Sequence, residues 1–198
     1  MRLTLANFII YSLSAVFVIV ILRRFIYGCS ERTLRDVLAF IRHLVVEDLQ
    51  NLLHPQVEDH IRASASHGQF RLTQWKRISL TLQYLRDLGD NAALLYAWAR
   101  YERKLSIRFP DSERKRASTD LITACVQLRY CAFRMRVTLH WWLIRMAFGP
   151  FLPLPSFKHL EQRGSFNVFV FYEQMKKAAG ELSLAYGQSF YDQLFELL

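Results

Sequence analysis

The sequence predicts an all-α protein: one amino-terminal transmembrane helix followed by a cytoplasmic multi-helix bundle of amphipathic helices. Three observations carry this expectation. Twenty residues from Leu3 to Leu22 (LTLANFIIYSLSAVFVIVIL) contain no charge and are followed at once by Arg23 and Arg24. At a rise of about 1.5 Å per residue such a helix is about 30 Å long, the thickness of the hydrocarbon core of a bilayer. Beyond it, apolar residues recur at spacings of three and four in one segment after another, with glycine and proline turn signals between them.

The uncharged run divides the chain into an anchor at 1–28, spanning about 3–22, and a helical domain at 29–198. A secretory signal peptide is the competing reading, since Ser12, Ser14 and Ala15 resemble a small-residue cleavage site. Against it, the apolar run continues for seven residues beyond Ala15, longer than the usual apolar region of about 7 to 15 residues. Arg2 stands on one side of the run, and Arg23, Arg24, Arg32, Arg35 and Arg42 follow on the other. That asymmetry places the amino terminus outside and the domain in the cytoplasm. Thr4, Asn7, Tyr11 and Ser14 share one helical face and are the candidate contact to integral membrane subunits. The plainer alternative is that Thr4 and Asn7 lie at headgroup level and the other two are tolerated singly.

In the domain, Ser30 is a candidate cap for a helix whose stripe runs through Leu34, Val37, Leu38, Ile41, Val45, Leu49 and Leu52 to His54-Pro55. Residues 56–66 form a weaker, polar helix ended by Gly68. Trp75, Ile78, Leu82, Leu85 and Leu88 repeat the helical period up to Gly89, and Asp90 is a candidate cap for a further helix through Leu94, Trp98, Tyr101 and Leu105. This hairpin between Leu85 and Pro110 resembles a tetratricopeptide unit, but no second copy follows at a period of about 34, so no family is indicated. From Asp111 or Ser112 a charged stretch leads into a long apolar helix. Its stripe is Leu121, Cys125, Leu128, Ala132, Met135, Leu139, Trp142 and Met146. Three alternate prolines in the break at 149–155 forbid helix and suggest an extended crossing. Helices are expected near 167–179 and 189–198, while the run from Phe166 to Tyr172 fits a strand as well as a helix.

Formal charge is +9, with 20 arginines against 6 lysines, which suits anionic lipid, nucleic acid or an acidic protein. No acidic residue occurs between Leu121 and Leu160, where Arg129, Arg134, Arg136, Arg145 and Lys158 lie. Arg23, Arg24, Arg129, Arg134, Arg136, Trp141, Trp142 and Arg145 are therefore the candidate residues for a membrane surface or a partner. The competing reading of 121–148 is a long central core helix whose arginines snorkel or pair with neighbouring acids. Nucleic acid is disfavoured, because no helix-turn-helix or zinc-finger motif is present.

The three cysteines, Cys29, Cys125 and Cys131, include no C-x-x-C pair and suggest free thiols. No phosphate loop, G-x-S-x-G elbow or H-E-x-x-H occurs. Glu58, Asp59 and His60, with His54 and His67 nearby, do not share a helical face and read as a solvated polar stretch. His140 reads as a hydrogen-bonded core or interface residue, with nothing but its type to suggest a haem or chlorophyll ligand. The expectation is thus a non-catalytic accessory or scaffold subunit that docks on a larger membrane complex, with a respiratory or photosynthetic assembly as the imagined host. No cofactor, metal or small-molecule substrate is expected, and lipids and integral membrane subunits are the expected partners. The alternative is a membrane-tethered module whose basic helix at 121–148 binds anionic lipid or nucleic acid.

Overall fold

A computed structural model describes residues 32–108, 112–148, 156–157 and 167–198, and Arg32–Leu198 form one compact unit. Every regular element among the described residues is an α-helix: α1 (Leu34–Phe40), α2 (Val46–Leu53), α3 (Pro55–Ser64), α4 (His67–Arg108), α5 (Ser112–Phe148), α6 (Asn167–Leu184) and α7 (Gln188–Leu197). No helix among them is long and apolar enough to cross a membrane. The anchor reading of Leu3–Leu22 and the extended reading of 149–155 lie outside the described residues.

The frame is an antiparallel pair, α4 and α5, of 42 and 37 residues. At the end where the pair is joined, Arg114 donates to Glu102 at 2.8 Å, and at the other end the Arg71 guanidinium reaches the Met146 carbonyl. All eight stripe residues of α5 named from the sequence, Leu121 through Met146, are buried. Helix α6 covers α5 with Val168, Tyr172, Met175 and Leu182, and α7 folds back on α6. Gly187 makes that reversal at φ 111°, a conformation that disfavours any side chain with a Cβ. Helices α1, α2 and α3 pack on α4, and α1 also touches α7.

Two boundaries differ from the sequence expectation. Gly89-Asp90 does not end a helix, because Leu85, Leu88, Ala92 and Leu95 stay in phase and are all buried on one side of a continuous α4. Glycine inside a helix costs about 1 kcal/mol, whereas burying each leucine contributes about 1.5 to 3 kcal/mol. The stripe from Leu34 to Leu52, by contrast, is broken at Ile41–Val45, where Ile41 is extended (ψ 135°). Asn91 on α4 supplies the reason: its side chain accepts from Arg42 N at 2.9 Å and donates to Arg42 O at 2.7 Å. Those two bonds give the interrupted backbone the partners a helix would have provided. Asn91 is fully buried, and we expect Asn91→Ala to lower stability by about 1 to 3 kcal/mol. Asn91→Asp should lose nearly as much, since it keeps the acceptor and lacks the donor; urea unfolding measures both.

The start and end signals were also displaced. The cap of α1 is Thr33, not Ser30, in a reciprocal box with Asp36, whose carboxylate accepts from Thr33 N at 2.9 Å. That backbone hydrogen bond holds the Asp36 carboxyl below its ordinary range. Helix α3 ends at Ser64 rather than at Gly68, and Ser66 with Gln69 forms a second box that starts α4, leaving Gly68 in its first turn. The ambiguous run resolves as helix from Asn167 onward. Trp75, expected on the buried stripe, is 41% exposed.

Candidate functional site

Helix α5 has two unlike sides. At about 100° per residue, Val126, Tyr130, Phe133, Val137, Trp141 and Ile144 fall opposite Leu128, Met135 and Leu139. Each of the six is between 40% and 56% exposed, apart from Trp141 at 59%. From Val126 to Ile144 this second stripe covers about 27 Å of the helix axis. A helix packed only by its core face carries polar residues on the reverse; α5 carries a ridge of large apolar ones.

Arginines border the ridge on both sides. By the same geometry Arg129 and Arg136 fall on one flank, and Arg134 and Arg145 fall on the other. Arg134 is exposed, the other three are half-buried, and the Arg134 guanidinium lies 5.9 Å from the Tyr130 ring centroid. His140 is exposed, with its Nδ1 2.7 Å from the Arg136 carbonyl; of the two placements expected for it, core or interface, the core is excluded. Trp75 on α4 is exposed one helical turn after the Arg71 that reaches Met146.

Of the candidate residues named from the sequence, Arg129, Arg134, Arg136, Trp141 and Arg145 are therefore brought together along this outer face. Trp142 is not. It is 7% exposed and packs edge-on to Phe157 with ring centroids 5.6 Å apart, so it belongs to the core and is withdrawn as a surface contact. Adjacent tryptophans on a helix point about 100° apart, and only one can face outward here. Thr4, Asn7, Tyr11, Ser14, Arg23 and Arg24 lie outside the described residues. Val126, Tyr130, Phe133, Val137 and Ile144 were missed as surface residues, although their spacing of three and four repeats the signal that found the core stripe.

The polar stretch around Glu58 also needs correction. Glu58 is 1% exposed, not solvated: it accepts from Phe157 N at 2.7 Å, from Ser156 Oγ at 3.1 Å and from Arg62 at 3.1 Å. Beside it Arg77 donates to the Leu52 and His54 carbonyls and lies 4.4 Å from the Phe157 ring centroid. Burial pushes the Arg77 pKa down, opposed by the Glu58 charge. These bonds tie α3 to α4 and to the segment at 156–157. His54 accepts from Gln56 N as the cap of α3. Among the described residues no group of three or more His, Cys, Asp or Glu is placed to hold a metal ion.

A second buried acid joins α4, α5 and the turn before α7. Glu102 is fully buried and accepts from Trp98 Nε1 at 3.1 Å, from Arg114 at 2.7 and 2.8 Å, and from the Tyr186 hydroxyl. Burial, then the hydrogen bond to Glu102, pushes the Tyr186 pKa up to about 12. All four acceptor positions of the Glu102 carboxylate are used within the cluster, which joins the three elements. Between α5 and α6 runs an open groove of about 1090 Å³ lined by Glu113, Arg116, Asp120, Gln127, Lys177 and Glu181. Acids and bases alternate along it, which gives no field of one sign to select a charged ligand. The outer face of α5 is the surface that departs furthest from an ordinary solvated exterior. Comparison with known proteins gives no match: no family model, no curated protein and no solved structure is similar to this chain.

Proposed function

We propose that this protein is a non-catalytic, single-pass membrane accessory subunit: Leu3–Leu22 anchors it beside integral membrane subunits, and the outer face of α5 is its second docking surface. The observation that carries this reading is the exposed apolar ridge opposite the α5 core, bordered by arginines and accompanied by no acid between Leu121 and Leu160. Large exposed apolar patches mark contact surfaces, and arginine with aromatic residues is the composition enriched in contact cores. The uncharged run supplies a bilayer-length segment in the same chain, and Leu22 stands only ten positions before Arg32.

Purification of the tagged full chain in mild detergent, with mass spectrometry of what accompanies it, tests the reading. Integral membrane proteins are expected to co-purify, and a lone monomer would sink the subunit assignment. Replacing Asn7 and Tyr11 together by leucine is expected to weaken that association several-fold while the protein stays in the membrane fraction. Unchanged co-purification would remove the polar anchor face from the docking surface.

A further inference from the structure

From the geometry of α5 we infer that its outer face binds an anionic bilayer surface, with the helix axis parallel to the membrane plane. This rests on the membrane-anchored reading above and names the partner of that face. The pattern has three parts. The apolar ridge is continuous, one large side chain per helical turn from Val126 to Ile144. Arginines stand on both of its long edges rather than at one end. Tyr130 and Trp141, near either end of the ridge, are amphipathic aromatics of the kind that settle at the headgroup boundary.

A helix seated in the interface sinks its apolar ridge to the acyl boundary and holds cations in the phosphate layer on either side. Long arginine side chains reach that layer while their stems cover apolar surface. The match is lateral: wherever the ridge settles, phosphates are available along both edges. A folded protein partner would instead need an apolar trough with acidic groups placed on both of its edges, opposite Arg136 on one side and Arg134 on the other. Charge complementarity thus favours the lipid surface.

The test uses the full chain reconstituted in lipid nanodiscs, with an environment-sensitive fluorescent amino acid at position 137 in one protein and at position 50 in another. Gln50 is exposed on α2, which packs on α4. In discs where about a third of the lipid is phosphatidylglycerol, the probe at 137 should shift to the blue and be quenched about two-fold or more by nitroxide-labelled lipid, and the probe at 50 should not respond. In discs of phosphatidylcholine alone, or in about 1 M salt, most of that quenching should be lost. Arg134→Glu combined with Arg136→Glu should reduce it in the same way, with circular dichroism confirming an intact helical fold.

A position-137 probe that stays in water in anionic discs overturns the inference, and recovery of α5-dependent protein partners in that case assigns the face to a protein. Equal quenching in neutral and anionic lipid overturns the anionic part. Failure of the chain to enter discs at all, with recovery as a water-soluble protein, overturns the anchored reading itself, so the two failures are distinct.

Discussion

Glu102→Ala is expected to destabilise the domain by about 3 to 5 kcal/mol, the usual consequence of removing one partner from a buried ion pair. The carboxylate joins three elements: Trp98 on its own helix, Arg114 at the start of α5, and Tyr186 in the turn that leads to α7. Deleting it removes the buried carboxylate that pairs with Arg114 and the acceptor of the Trp98 indole and the Tyr186 hydroxyl together. Against a typical total of about 5 to 15 kcal/mol, that loss is large. Glu102→Gln should recover part of it, because the amide oxygen still accepts while the charge is gone. Urea unfolding of the full chain in mild detergent measures the difference, and a midpoint within error of the parent would show that the joint carries no stability.

Two phenols, Tyr186 of this cluster and Tyr172 on α6, set an alkaline limit. Tyr186 and Tyr172 both have pKa values pushed up to about 12, chiefly by burial. Between the ordinary tyrosine value of about 10 and that raised value, the folded protein keeps protons that the unfolded chain has lost. Stability contributed by these phenols is therefore complete below about pH 10 and declines as pH rises toward 12. Tyr186→Phe should flatten that part of the profile.

Leu128→Ala and Val137→Ala, nine residues apart on α5, are expected to behave as opposites. Leu128 is fully buried, so its truncation should cost about 2 to 5 kcal/mol through lost burial and the cavity left behind. Val137 is 53% exposed, and its truncation should change stability by about 0.5 kcal/mol or less. In the nanodisc assay the order reverses: a probe placed at Trp141 should report weaker lipid contact in Val137→Ala, whereas any folded Leu128→Ala should seat normally. A comparable stability loss for both would mean that the outer ridge is packed against something in the folded domain.

How much of this was legible in the sequence depended on which force decided each feature. The α5 stripe from Leu121 to Met146 was read correctly because an uninterrupted apolar period with no competing signal leaves burial in charge. Gly89-Asp90 misled, since a local turn signal worth about 1 kcal/mol yields when the leucines on both sides share a core. The break at Ile41–Val45 could not be read locally, because Asn91 makes it from 49 positions away. The same holds for Glu58 and Glu102: a carboxylate in a polar stretch gives no hint of burial until its partners, Phe157 and Tyr186, are brought to it. Trp141 and Trp142 show the limit for the candidate site, where the pair suggested a surface and only the phase of the core stripe decides which ring is outside.

The hydrogen bond from Phe157 N to Glu58 closes a span of 99 residues, and this orders events during synthesis. At about 5 to 20 residues per second, α3 leaves the ribosome about 5 to 20 s before the residue that seats its buried acid. Throughout that interval the Glu58 carboxylate lacks two of its hydrogen-bond donors, Phe157 N and Ser156 Oγ. The α4–α5 hairpin, made of contacts close in sequence around its turn, can zip from that turn as soon as α5 emerges. The amino-terminal helices of the domain are thus made first and completed late.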